Sequence, residues 1–424
     1  MLKALERLAN RLPRPHLVIF AVGLLASLLV TFVIWQHQSA VIRADDPYFF
    51  SLLGKHIAEG RGLAQITDPS LPTMRRAPVY PGLIALLYSL GGVNTNLVRL
   101  LQCFVSGATA ALAYGIGART FSKSAGLLAG VATAFHPMIL RYVPDLQVEC
   151  LLTFFMTLMV WCGVRFIHKP SLPWGAAVGG AGALGSLVKG VLVLGPPVFA
   201  VWFLVSQWRR KRPIHFPSLV AMALAMCVVI FPWTARNYQV SNQFVLISTN
   251  AGGEFLRGYV FAQPKYYLLQ QRPYVEGELE ANQMEIDLFA AQGLVWERDE
   301  AETERVLSKA AKEKLVAEPG AFVRKCFIGM LTFWYELTNR PNSALVGSLA
   351  LGAWVLALIG WRSHRAEDRP LWPLVVPIVT LNLLCATLLA LGRYSAPTIP
   401  TLMVLASGGL VALLQRFQKP AATA

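Results

Sequence analysis

Two neighbouring carboxylates, Asp45 and Asp46, stand just ahead of Pro47 in the segment Arg43-Ala-Asp-Asp-Pro-Tyr-Phe-Phe-Ser. Asp46 followed by proline has the pattern of a helix N-cap with Pro at the first helical position, and Gly60 supplies a stop, so a short helix is expected over 47–59. Its apolar residues Phe49, Phe50, Leu53 and Ile57 recur every three to four positions, with Ser51, Lys55 and Glu59 elsewhere, the pattern of a helix lying along a membrane surface. Asp46 thereby takes the helix-capping job. Asp45 sits one residue outside it, unused by the cap. A carboxylate so placed rests in solvent, pairs with Arg43, or accepts a proton from a reacting hydroxyl.

Cations in unusual surroundings form the second chemical signal. Arg76 follows the short helix, Lys189 is stranded between Gly185 and Gly190 in an apolar stretch, and Arg393 with Tyr394 lies at the outer end of the apolar block 371–391. A cation at membrane depth is costly unless it snorkels to headgroups or finds an anionic partner. Glu149 opens a helix with Asp145 nearby, where the helix dipole favours a carboxylate. It reads as a cap-like residue, as the partner of an outer-face cation, or as a residue that positions an acceptor. His56 and His136 have no second ligand at useful spacing and read as structural residues. The sequence requires no cofactor, and it leaves a divalent metal open.

The elements that must position these residues are membrane helices. Of the 424 residues 55% are hydrophobic and only 14% charged, with mean hydropathy +0.50, against roughly 25% charged in soluble domains. The fold class expected is therefore an all-α polytopic membrane protein. Ten spans are predicted, at 17–36, 96–118, 124–143, 147–167, 174–188, 191–207, 216–233, 344–361, 371–391 and 396–415. The first follows a basic leader (Lys3, Arg7, Arg11, Arg14) as a secretory signal would, but its apolar run is too long for one, so it is read as a retained helix. The even-numbered turns hold nearly half of the 38 basic residues, including Arg209-Arg210-Lys211-Arg212, and only Glu6, Glu367 and Asp368 of the 23 acidic ones. The positive-inside rule makes that side cytoplasmic, with both termini inside the plasma (inner) membrane. Loops 37–95 and 234–343 then face outward and carry the function.

The net charge of +15 is on this reading a topology signal and gives no reason to expect nucleic acid. Six scattered cysteines without a CxxC or Cys/His cluster argue against a disulfide framework or thiolate metal site. Residues 276–317 are densely charged with helical character, and 322–337 suits an interfacial helix, so the second outer loop is expected to cap the membrane cavity and select the acceptor. With no internal repeat or low-complexity segment, 1–418 reads as one module with a short cytoplasmic tail at 419–424.

Several motifs occur in a fixed order on the outward side: Asp45-Asp46-Pro-Tyr-Phe, Arg76-Ala-Pro-Val-Tyr-Pro81, Glu149 at a helix head, Trp233-Thr-Ala-Arg-Asn-Tyr238, Ile247-Ser-Thr-Asn-Ala-Gly252, Phe333-Trp334 and Arg393-Tyr394-Ser-Ala-Pro397. In that order the chain resembles the GT-C polyprenyl-phosphate-sugar glycosyltransferases, family 39, with its protein mannosyltransferase-like and aminoarabinose transferase-like members. The resemblance implies a GT-C-like bundle and an enzyme moving a hexosyl or pentosyl group from a polyprenyl-phosphate-linked donor to an acceptor hydroxyl outside the membrane. Asp45 matches the family's catalytic aspartate and would be the general base of an inverting transfer, with Asp46 and Glu149 as secondary acidic residues. Arg76, Lys189, Arg393 and Tyr394 are the candidates to bind the donor phosphate. The implied partners are the lipid-linked sugar, membrane lipids and a glycan, glycolipid or protein acceptor.

Departures from the family pattern leave the acceptor open. No soluble C-terminal domain is expected after Phe417, and Tyr259 follows Gly258 where many relatives have Asn. An oligosaccharide ligase using a lipid-diphosphate donor is the nearest rival. A polytopic transporter or an envelope scaffold fits less well, because the distinctive residues lie in the outer loops.

Overall fold

The computed structural model describes residues 2–34, 46–267, 274–295, 299–335, 340–364 and 370–418. Asp45 lies outside the described residues. The architecture is all-helical. Among the described residues seven helices are long and apolar enough to cross a membrane: Pro15–Val33, Thr95–Thr120, Glu149–His168, Gly190–Arg209, Phe216–Ser241, Pro341–Ser363 and Gly392–Gln418. The chain is a multi-pass membrane protein.

All ten predicted spans fall on helices, but three are shorter than a bilayer requires. The span expected at 124–143 breaks into α6 (Lys123–Ala134) and α7 (Pro137–Arg141), because Pro137 cannot continue the helix and His136 Nδ1 instead accepts the Met138 N–H at 3.2 Å to cap the second piece. Those at 174–188 and 371–391 shorten to α9 (Leu172–Ser186) and α18 (Trp372–Thr387). In both, the early stop precedes a cation of the candidate site, Lys189 after α9 and Arg393 after α18.

Two helices outside the spans lie in the segment 46–95. The short helix expected there appears as α3 (Asp46–Ala58), and a second, α4 (Val79–Gly91), was not anticipated. Phe50 packs edge-on to Tyr80 at 5.1 Å, Ser51 Oγ lies 2.8 Å from Tyr88 Oη, and Gly54 abuts Ile84, so α3 packs on α4 through Phe50, Ser51 and Gly54. The segment 234–343 forms, among its described residues, α12 (Ala251–Phe261), α14 (Tyr274–Ala290), α15 (Glu300–Ala317) and α16 (Pro319–Tyr335). Arg257 ties α12 to α14, donating to Glu278 at 2.6 Å and Glu285 at 2.8 Å.

Within the bundle the helices approach through small residues, as is usual where helix association relies on close packing. Gly175 and Gly179 of α9 lie against the Ser218 and Met222 carbonyls of α11 (Phe216–Ser241), and Gly409 of α19 (Ile399–Gln418) against Leu356 of α17 (Arg340–Ser363). A Cβ on Gly179 would overlap the Met222 carbonyl, whereas one on Gly180 meets open space. Gly179→Ala should therefore cost about 1–3 kcal/mol of stability, while Gly180→Ala should be neutral or gain up to about 1 kcal/mol from helix propensity. Thermal unfolding of the two purified variants in one detergent checks the pair, and equal melting temperatures would contradict the close packing.

Candidate functional site

The site is assembled where helices end. Leu187–Lys189 leave the helical path after α9, and the Val79 N–H donates to the Leu187 carbonyl at 3.0 Å, so the start of α4 is pinned beside Lys189. After α18 the chain runs extended at Leu391 into a 3-10 turn, Gly392–Thr398, that carries Arg393 and Tyr394 into α19. Arg393 thus begins the last span instead of ending the ninth, as the sequence suggested. Glu149 opens α8 (Glu149–His168). The loop before it is held by Gln102, whose amide donates to the Val143 and Asp145 carbonyls at 2.7 Å and accepts from Tyr80 Oη at 2.7 Å.

These segments bring the predicted residues together. Arg76 Nη2 lies 2.7 Å from Asp46 Oδ1, and Arg393 Nη1 lies 3.3 Å from Asp46 Oδ2, so one carboxylate bridges two guanidiniums from opposite ends of the chain. Lys189 Nζ is 3.9 Å from the buried Glu149 carboxylate and 3.7 Å from the centre of the Tyr394 ring. The Tyr394 hydroxyl accepts from Arg393 Nη2 at 3.4 Å. Glu149, Lys189, Arg393 and Tyr394 line a common pocket with Leu152 and Cys385.

Asp46 does more than open a helix. Burial alone would raise its carboxyl, but Arg76, Arg393 and Lys189 outweigh that, and a hydrogen bond from Arg393 adds to them, bringing it down to about 2. A carboxylate so strongly held is a poor proton acceptor at neutral pH. Its chemistry here is to fix the positions of cations.

The segment carrying Arg76 is itself clamped by residues of the segment 234–343. Glu300 accepts from Thr73 Oγ1 at 2.6 Å and from the Met74 N–H at 2.7 Å, the Asn250 amide donates to the Arg75 carbonyl at 3.0 Å, and Arg236 donates to the Thr73 carbonyl at 2.8 Å. Sequence reasoning missed Glu300 because its partners are more than two hundred positions away, and Asn250 gave a signal only as part of the Ile247–Gly252 motif. Arg236 and Arg257 spend their donors on holding segments of the chain together. Neither His56 nor His136 belongs to a cluster, and among the described residues no three His, Cys, Asp or Glu side chains gather as a metal site.

Residues 75–233, which include Arg76, Glu149 and Lys189, match the family described as dolichyl-phosphate-mannose-protein mannosyltransferase. Two structures of the oligosaccharyltransferase AglB from Archaeoglobus fulgidus share the fold. The complex with an inhibitory peptide and a dolichol-phosphate has a TM-score of 0.58 at 14% identity, over 95% of this chain and 50% of that one. The apo form has a TM-score of 0.60 at 13% identity, over 95% and 51%. The chain has a GT-C-like fold. It spans about half the length of these AglB structures. ArnT from Cupriavidus metallidurans bound to undecaprenyl phosphate is a looser likeness, with a TM-score of 0.43 at 16% identity over 94% of this chain and 77% of that one. No curated protein matches by sequence.

The depressed Asp46 carboxyl has a measurable consequence. Its folded value near 2, against an ordinary 3.8, corresponds to about 2 kcal/mol of stability. That contribution is fully present above pH 4 and is lost as pH falls towards 2. Asp46→Asn should remove it, leaving Arg76 and Arg393 facing each other with their shared anion gone. Unfolding measured from pH 7 down to pH 3 should show the wild type losing its advantage over the variant below about pH 4. A constant difference across that range would place the Asp46 contribution elsewhere.

Proposed function

We propose that this GT-C-type protein is a glycosyltransferase. It takes a sugar from a polyprenyl-phosphate donor and transfers it, with inversion, to an acceptor hydroxyl outside the membrane. The observation that carries this reading is the convergence of Lys189 and Arg393 on one pocket at the helix ends, with Arg76 joined to Arg393 through the Asp46 carboxylate they share. Cations gathered at that level suit a phosphate whose polyprenyl chain is buried in lipid, and Tyr394 adds a hydroxyl. The family match over 75–233 supports the same donor class.

The chemistry follows from that arrangement. The acceptor oxygen attacks the anomeric carbon from the face opposite the phosphate, and the bond from carbon to phosphate oxygen breaks with its electron pair leaving on the phosphate. Arg76, Arg393 and Lys189 neutralise the charge that develops there. The acceptor proton goes to Asp45, one residue before the helix that Asp46 anchors. A phosphate is a good enough leaving group that one carboxylate suffices, without the acid-and-base pair of a glycosidase. The outer helices α12, α14, α15 and α16 select the acceptor, which is a glycan, a glycolipid or a protein.

The donor assay tests this directly. The wild type should consume a lipid-monophosphate sugar. Asp45→Asn, isosteric but unable to take the proton, should lower turnover at least about 100-fold in a folded protein. Arg393→Lys keeps the charge but loses the planar fork, so it should raise the apparent donor constant. Arg393→Ala should raise it further, with little change towards the acceptor. Consumption of a lipid-diphosphate sugar alone would point instead to an oligosaccharide ligase, and normal turnover from Asp45→Asn would move the base.

The sidedness is a separate proposal, resting on the basic clusters of the even-numbered turns. Cysteines introduced at Ser70 and Glu280 should react with an impermeant label from outside the cell, and one at Lys211 should not. Labelling at Lys211 from outside would reverse the orientation.

A further inference from the structure

One carboxylate close enough to act on the site has no assigned task. Glu254 lies in the first turns of α12, and with Gly258 and Phe261 it occupies one face of that helix at spacings of four and three. Gly258 is pressed against the Leu388 carbonyl so closely that a Cβ would overlap it. Phe261 is buried in the cluster that contains Leu389, Leu391 and Tyr394. The face carrying Glu254 is therefore docked on the segment that delivers Arg393 and Tyr394. Consistent with that placement, Glu254 acts electrostatically on both Lys189 and Tyr394.

The neighbouring cations are committed elsewhere. Arg257 spends its donors on Glu278, Asn282 and Glu285, and Lys189 pairs with Glu149. The Glu254 side chain itself makes no hydrogen bond or ion pair with any described residue, and it is only partly buried. An anion cannot help to bind a phosphate. It can accept two hydroxyl hydrogen bonds from a sugar, which are among the stronger neutral-to-charged contacts available.

We propose that Glu254 is the specificity residue for the sugar carried by the donor, its carboxylate accepting ring hydroxyls of a glycosyl group whose phosphate is held by Arg76, Lys189 and Arg393. This rests on the donor reading above and adds to it a sugar subsite on the cap side of the pocket.

The test separates the sugar from its carrier. Binding to the full chain in detergent is measured for undecaprenyl phosphate, and then for undecaprenyl phosphates bearing hexose, pentose and amino-sugar headgroups, taking the one that the wild type binds most tightly. Glu254→Ala should leave affinity for undecaprenyl phosphate within about twofold and weaken the sugar-bearing form about 10-fold to 100-fold, as expected for loss of a charged acceptor. Glu254→Gln, which keeps one acceptor, should fall between. A deoxy-sugar donor lacking the recognised hydroxyl should bind the wild type and Glu254→Ala equally.

Three results would overturn the proposal: equal loss for both ligands, unchanged binding of the sugar-bearing form, or a wild type that binds no glycosylated carrier better than the bare one. Failure of the wild type to bind undecaprenyl phosphate at all would strike the donor reading itself, a result the sugar comparison does not mimic.

Discussion

Cations removed from water need an anion within reach, and the Asp46 carboxylate shared by Arg76 and Arg393 meets that need where three parts of the chain join. Desolvating two guanidiniums would be prohibitive if they faced only each other. With one carboxylate between them at 2.7 and 3.3 Å, the loop after α3 and the turn before α19 are locked together. Glu149 does the same for Lys189 from the head of α8, where the helix dipole already favours its charge. The cations at this site are thus held by carboxylates contributed from other segments of the chain.

The cations reach this level because helices stop early. Lys189 is available because α9 ends at Ser186, and Arg393 because α18 ends at Thr387. The second stop is itself secured. Lys325 of α16 donates to the Thr387 carbonyl at 2.8 Å and the Phe255 carbonyl at 2.9 Å, with its ammonium 3.8 Å from the Phe255 ring centre. It has no ion pair among the described residues, and burial pushes its ammonium down to about 7. Asp46 and Lys325 are two solutions to the same desolvation problem. One uses an opposite charge, and the other uses the orphan carbonyl and negative dipole end of a helix together with aromatic faces.

Much of this was legible in the sequence, for physical reasons that differ from residue to residue. The membrane helices follow from long apolar blocks, and α3 from the Asp-Pro start and the Gly60 stop. Arg76, Lys189 and Arg393 stood out because cations are expensive in apolar surroundings, and they do converge. The role of Asp46 was not legible, because a local capping pattern says nothing about partners 30 and 347 positions away. Nor was α4, whose short apolar run lacks the length of a span and the polar face of a surface helix. Pro137 gave the signal for the broken third span, and the apolar block around it masked that signal.

The residues of the site come from segments that begin near 46, 76, 149, 189 and 393, so no local piece of chain contains a working fraction of it. Each cation is held by an anion or a clamp from another segment, and the Arg76 loop is held by Glu300 and Asn250 from the segment 234–343. Packing at Gly179 and Gly258 sets the distance between backbones, and through them the position of side chains that neither glycine touches. Stability and site geometry are therefore one quantity in this fold. A change that loosens the cap helices relaxes the loop that presents Arg76, and with it the carboxylate that Arg76 shares with Arg393.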